Sequence, residues 1–204
     1  MDESNHVPGE FKREMSNQLF VKNLDEHAAL ITALYALNDV VNHVGDVASQ
    51  CLMNGGKILF CGNGGSAADS QHLAAELTGR FMEDRRPLAA MALSTDSSAL
   101  TCIANDYSFD EIFARQVVGL GRAGDLLIGI STSGNSRNVI RAVQEAKKIG
   151  VQTVGLLGRD GGQLLHLCTH SILVPSQVTA RIQEGHILIG HTLCGLIEQK
   201  LSLA

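Results

Sequence analysis

His72 and Glu76 stand four residues apart in an alanine-rich stretch, so on a helix both project from one face. An imidazole and a carboxylate placed this way can hold a divalent cation or share acid–base work. Taken alone, such a pair is as often a plain helix-surface interaction. A second polar set lies near the C-terminus, in Arg181-Ile182-Gln183-Glu184-Gly185-His186 and, further on, His191. Seven residues separate His191 from Glu184 and eight separate it from Gln183. Either is therefore within about 80° of it around a helix. Carboxylates bind cations better than amides do, which favours Glu184, but spacing leaves the choice open.

Two loops add a different chemistry. Gly62-Asn63-Gly64-Gly65-Ser66 leads into the helix that bears His72. A glycine turn there aims backbone N–H groups from the positive end of the helix, which suits an oxyanion. Ser131-Thr132-Ser133-Gly134-Asn135-Ser136 places four hydroxyls in six residues ahead of another helix. Those neutral donors can wrap a phosphate dianion without a P-loop lysine. Neither loop matches GxxxxGK[ST], and the first lacks the third glycine of GxGxxG, which argues against nucleoside triphosphate and dinucleotide sites. Serine and glycine also cap helices with no ligand present. Two such loops on one sheet edge favour a phosphosugar cradle.

The elements that position these groups alternate. Strands are expected at 57–62, 88–94, 125–131, 152–158 and 171–175, and helices at 66–81, 97–104, 110–119, 136–149, 161–167 and 179–203. Nearly continuous apolar strands alternating with helices predict a parallel sheet covered on both faces, with ligands beyond the carboxyl ends of its strands. Ahead of them, residues 18–53 carry apolar side chains at helical spacing, and Asn54-Gly55-Gly56 ends the last helix. Apolar residues off the main stripe suggest an arm buried on more than one side, the second surface belonging to another subunit. Residues 1–15 are polar and aperiodic, with Pro8-Gly9 as a breaker, and read as a loose extension to a single domain over 16–204.

Bulk composition narrows the partners. The chain has 204 residues, a net charge of −5, 4% aromatic residues and no tryptophan. That argues against nucleic acid and anionic membranes as partners. Five scattered cysteines without a CxxC pair read as buried thiols in a reducing cytoplasm, although Cys61 adjoins the glycine loop. With no signal segment or membrane-length apolar run, the expected location is cytoplasmic.

Several stretches, taken together, resemble the phosphoheptose isomerases (sedoheptulose 7-phosphate isomerases) of the sugar-isomerase (SIS) domain superfamily. They are Cys-Gly-Asn-Gly-Gly-Ser-Ala-Ala-Asp-Ser-Gln-His (61–72), Ala-Ala-Glu-Leu-Thr-Gly-Arg-Phe (74–81), Ala-Asn-Asp-Tyr (104–107), Gly-Ile-Ser-Thr-Ser-Gly-Asn-Ser (129–136) and Thr-Ala-Arg-Ile-Gln-Glu-Gly-His (179–186), followed by His191. The Ser-rich loop is shared by many phosphosugar proteins; the His72/Glu76 plus Gln183/His191 combination is much narrower. The resemblance implies a flavodoxin-like three-layer α/β/α sandwich with a parallel sheet and an N-terminal helical arm. It implies a homotetramer with active sites at subunit interfaces, and one zinc ion per subunit held by His72, Glu76, Gln183 and His191. It also implies substrate contacts at Asn63, Gly64, Gly65, Ser66, Glu76, Asn105, Asp106, Ser131, Thr132, Ser133, Ser136 and Gln183. Arg80 matches a family arginine by motif, with a salt-bridge partner as the equal alternative.

The implied reaction converts sedoheptulose 7-phosphate to D-glycero-D-manno-heptose 7-phosphate, the first step of ADP- or GDP-activated heptose biosynthesis. Ketose–aldose isomerisation needs one group to move a carbon-bound proton and another to manage the two oxygens. Glu76 is assigned as base and His191 as its acid–base partner. The two implied roles of Glu76 conflict, because a carboxylate holding zinc is a weaker base. The rivals are a non-enzymatic tetramer of this fold that binds the bacterial replication initiator, and another phosphosugar protein such as an N-acetylmuramate phosphate etherase. Retention of His72 and Glu76 argues against the first, and the compact chain with its His191-bearing terminal helix against the second.

Overall fold

A computed structural model describes residues 8–201, with side chains from residue 18 onward. Helices α1 (Pro8–Leu34) and α2 (Asn38–Met53) precede β1 (Ile58–Gly62), α3 (Gly65–Thr78), β2 (Ala90–Ala92), α4 (Ser97–Asp106) and α5 (Ala114–Leu120). There follow β3 (Leu126–Ser131), α6 (Arg137–Lys148), β4 (Gln152–Gly158), α7 (Leu164–Leu167), β5 (His170–Val174) and α8 (Thr179–Lys200). The first seven residues of the expected N-terminal extension (1–15) lie outside the described residues. The helix begins at Pro8 rather than near residue 18. Proline is tolerated at a helix start, where its missing N–H has no intrahelical partner.

All five strands are parallel, in the order β2-β1-β3-β4-β5. Strand succession reverses between β1 and β3, whose carboxyl ends run level through the pair Gly62↔Ile130. That is the flavodoxin-like arrangement, and such a reversal opens a crevice between the two loops that leave those strands. The glycine loop and the hydroxyl loop are those two loops.

The alternating side chains of the strands feed two cores. Ile58, Phe60, Leu126, Ile128, Ile130, Val154 and Leu156 face α2, α3 and α8. Leu59, Cys61, Leu127 and Leu157 face the opposite layer, with Phe113, Val139 and Val143. Truncating one fully buried leucine here to alanine costs about 2–5 kcal/mol.

The helix expected at 66–81 stops at Thr78 and the one expected at 161–167 is only Leu164–Leu167; two further elements differ more. Only Ala90–Ala92 of the expected strand 88–94 pairs with β1, because the chain turns after Ala92, whose carbonyl accepts from the Thr95 hydroxyl at 2.9 Å. The expected helix 110–119 is a 3-10 turn at Phe109–Glu111 followed by α5. The break swings Ile112 and Phe113 into the core.

Candidate functional site

Helix α3 starts in a turn that only glycine fits comfortably. Gly64 has φ +56°, a left-handed conformation that costs a side-chain-bearing residue energy. A Cβ on the next residue, Gly65, would collide with the Gln183 amide nitrogen, so the turn and the first part of α8 are in contact. Seven residues further along α3, His72 faces His191 on α8. The two helices therefore run side by side in the same direction, which puts the glycine turn beside Gln183 and His72 beside His191.

Three of the four expected metal ligands meet there. His72 Nε2 is 3.0 Å from Glu76 Oε1 and 3.3 Å from His191 Nε2. One donor atom from each of the three lies within 4.8 Å of the others. Gln183 sits eight residues before His191, about 12 Å along the helix axis. Its amide is against Gly65. The imidazole of His191 meets His72 edge-on and is stacked on the Phe81 ring, with centroids 5.5 Å apart and planes inclined by 23°.

Asp69 lies one turn before His72. Its Oδ2 is buried without a hydrogen-bond partner, and burial pushes its carboxyl up, an effect that His72 and His191 partly offset. Two imidazole nitrogens and a carboxylate oxygen in close reach, beside a buried acceptor lacking a donor, form a donor set that suits zinc.

The hydroxyl loop is braced rather than free. Ser131 and Ser136 hydroxyls are 2.9 Å apart, and the Asn135 N–H donates to Ser133 Oγ at 3.2 Å. Gly134 combines φ +64° with the Gly161 carbonyl standing where a Cβ would go, so only glycine fits. The glycine loop is joined to the start of α6, just past the hydroxyl loop, by a reciprocal amide pair. Asn63 and Asn138 each donate to the other at 2.8 Å, so the Asn63 side chain is engaged in this brace. Asn105 and Asp106 end α4 on the surface; Asn105 donates to Asp106 at 2.9 Å and neither bonds to the two loops among the described residues.

Other candidate residues receive definite places. Glu184 accepts from His27 of α1 at 2.7 Å and pairs with Arg181, so it docks the arm. His186 is fully buried against the Leu157 carbonyl at 3.0 Å. Burial pushes the Cys61 thiol far up, and all five cysteines are unpaired, so Cys61 is a packed thiol rather than a nucleophile.

Arg80 is exposed and makes no ion pair among the described residues. Arg85, by contrast, has a buried side chain and pairs with Glu198 at 2.8 Å, the two side chains being 1% and 3% exposed. Asn138, Arg85 and Glu198 went unremarked in the sequence and no local pattern marks them, while Phe81 and Asp69 lie inside the family-like stretches without a role of their own being assigned. Gly190 did leave a signal. A glycine in mid-helix is costly and so marks a close approach.

Comparison with known proteins places this geometry. A family model described as SIS domain matches residues 23–158. A phosphoheptose isomerase of a Nitratiruptor species is 61% identical over 153 residues, covering 75% of this chain and 82% of that protein. Phosphoheptose isomerase 1 of Campylobacter jejuni is 52% identical over 181 residues, covering 89% and 97%. The solved structure of a phosphoheptose isomerase from Neisseria gonorrhoeae superposes with a TM-score of 0.85 at 47% identity, over 90% of this chain and 98% of that one.

Proposed function

The chain belongs to the phosphoheptose isomerases of the SIS-domain superfamily, enzymes of heptose biosynthesis, and from that premise we propose how its own residues isomerise sedoheptulose 7-phosphate. The observation that carries the reading is the His72–Glu76–His191 cluster on α3 and α8, the two helices that touch at the glycine turn on the sheet's switch point.

The phosphate is held by Ser131, Thr132, Ser133 and Ser136 together with the N–H groups at the start of α6. The sugar runs toward Gly64, Gly65 and Ser66, with Gln183 beside it; Asn63 contributes backbone, since its amide is spent on Asn138. Asn105 and Asp106 contact the sugar from the mouth. Glu76 removes the proton from C1 of the ketose and returns it to C2 of the cis-enediol. His191 gives a proton to O2 and takes one from O1, so charge does not build on either oxygen. His72, Glu76 and His191 would hold one zinc ion, with Gln183 supplied by a neighbouring copy because the subunit's own Gln183 lies about 12 Å away along α8; when bound, the ion would polarise the substrate oxygens. A carboxylate engaged by a cation is a weaker base, so Glu76 would act as base with its carboxylate free of the metal.

The domain is read as the single unit 16–204, assembled as a homotetramer with sites at subunit interfaces. Support comes from a cavity of about 300 Å³ lined by Ile31, Leu34, Tyr35, Leu37, Val41 and Leu188, and from exposed Leu19, Phe20 and Leu24 on α1. Both are apolar surfaces that further copies would cover. The product supplies the ADP- or GDP-heptose route in the cytoplasm. Among the described residues no helix is long and apolar enough to cross a membrane.

A coupled assay with sedoheptulose 7-phosphate, with and without zinc and a chelator, tests the reaction. Turnover that depends on zinc supports it; no turnover with zinc present overturns it. Sedimentation velocity tests the tetramer.

A further inference from the structure

The His191 ring is covered on one face by a side chain that carries no donor of its own. Phe81 lies nearly parallel to it, 5.5 Å between centroids, with its Cε1 3.6 Å from where a Cβ on Gly195 would stand. The phenyl ring therefore lies along α8 across one turn, from His191 to Gly195. The His72 ring closes in edge-on, 4.9 Å between centroids and with the two Nε2 atoms 3.3 Å apart. An imidazole with the Phe81 face against it and His72 at its Nε2 cannot turn about its Cβ–Cγ bond without driving an edge into Phe81.

Phe81 is itself held from an unusual direction. It lies in the segment after α3, where loops ordinarily move, yet three successive N–H groups there are tied to one carboxylate. Phe81 N–H donates to Glu198 Oε1 at 3.2 Å, and Met82 and Glu83 donate to Oε2 at 3.1 and 3.4 Å. Arg85 completes the carboxylate's shell through Nε at 2.8 Å. The remaining Arg85 donors reach back to the end of α3: the Glu76 carbonyl at 2.7 Å, Leu77 at 2.9 Å and Gly79 at 3.2 Å. One buried ion pair thus fixes both the helix end that carries Glu76 and the segment that carries the ring over His191.

We propose that Phe81 is a positioning residue for His191, anchored by the Arg85–Glu198 pair, so that the direction of the His191 Nε2 lone pair is set before metal or sugar arrives. A metal ligand or proton carrier has to aim one nitrogen along one line, and a ring free to turn is aimed correctly only part of the time. This rests on the role given to His191 above.

The test compares Phe81→Leu, which fills similar space without a flat face, with Phe81→Tyr, which restores the face. Five quantities are read: kcat and KM for sedoheptulose 7-phosphate, zinc affinity by competition with a chromophoric chelator, the His191 ring resonances of zinc-free protein, and Tm. Phe81→Leu should lower kcat and zinc affinity by about tenfold each, with KM within about twofold. Its His191 resonances should shift as the phenyl ring current is lost, and Phe81→Tyr should recover all of these. Wild-type kcat and zinc affinity in Phe81→Leu overturn the proposal, as does a Phe81→Tyr variant as impaired as Phe81→Leu. His191→Asn is the control that separates the two levels. If that variant is fully active the functional reading fails; if it is inactive while Phe81→Leu is normal, only the positioning role fails.

Discussion

Leu73 occupies the space that a side chain on Gly190 would need: its two terminal carbons each lie 2.6 Å from where that Cβ would stand. Leu73 follows His72 and Gly190 precedes His191, so this close contact between α3 and α8 adjoins the cluster. The close approach puts the two helix backbones where the imidazoles can come within 3.3 Å.

Gly190→Ala should therefore damage both fold and site. Overpacking at a buried helix crossing costs about 1–3 kcal/mol, and relief comes by moving α8 away from α3. That movement withdraws His191 from His72 and Glu76. Thermal melts should show the lost stability, and chelator competition a weaker hold on zinc. Unchanged zinc affinity would mean that the crossing does not set the cluster.

Glu76→Gln separates the base from its neighbours. The amide keeps the shape and an oxygen donor but cannot take a carbon-bound proton. Turnover at saturating zinc should fall by about 10²–10⁴-fold with KM little changed. Full turnover of sedoheptulose 7-phosphate by this variant removes Glu76 from the role.

Much of this arrangement can be read from the chain. The strand–helix rhythm gives the parallel sheet, since each central strand is apolar on both faces and bounded by turns. The pairing of His72 with Glu76 and the approach of His191 follow from helical spacing plus family resemblance. What could not be read depends on contacts between distant segments. Gln183 and Glu184 are adjacent on one helix, and only packing shows that Glu184 turns to His27 while Gln183 lies against Gly65. Arg80 and Arg85 are equally charged, and only the fold decides that Arg85 is the buried one. Asn63 and Asn138 are 75 residues apart with no shared pattern.

Removing the metal should weaken the protein as well as silence it. A cation bound to the folded chain alone stabilises it by about 2.7 kcal/mol at a free concentration one hundred times Kd. Dialysis against a chelator should lower Tm and abolish turnover, and zinc should restore both. Turnover that survives exhaustive chelation would exclude a zinc role in this site.

His186 predicts a pH dependence away from the chemistry. Burial pushes its imidazole down to about 4, against a slight opposing pull from the Leu157 carbonyl. The unfolded chain takes up this proton near pH 6.5 and the folded chain only near 4, so stability is full above about 6.5 and declines as pH falls through that window. The loss approaches about 3 kcal/mol by pH 4. Most carboxylates titrate at the bottom of the window, so between about pH 6.5 and 5 the slope belongs largely to buried histidine. His186→Gln, which retains a donor for Leu157, should flatten the dependence of unfolding free energy on pH there. A slope equal to that of the parent protein rules His186 out as its source.

The Arg85–Glu198 pair gives the sharpest energetic test. Burial works against the charge on Glu198, but three backbone N–H groups and Arg85 hold its carboxyl below the usual carboxylate range. Removing one partner leaves the other charged and buried, at a cost of about 3–5 kcal/mol. Arg85→Met leaves Glu198 with its three N–H donors, whereas Glu198→Leu strands both the guanidinium and those donors. Glu198→Leu should therefore be the more damaging single change. The double variant has no stranded charge, so it should cost clearly less than the sum of the two singles. It should not reach the parent's stability, because the N–H groups of Phe81, Met82 and Glu83 still lack their acceptor. Urea denaturation of the four proteins gives the coupling directly. Strict additivity would show that the two side chains are not energetically linked, and the segment carrying Phe81 would then lack the anchor assigned to it.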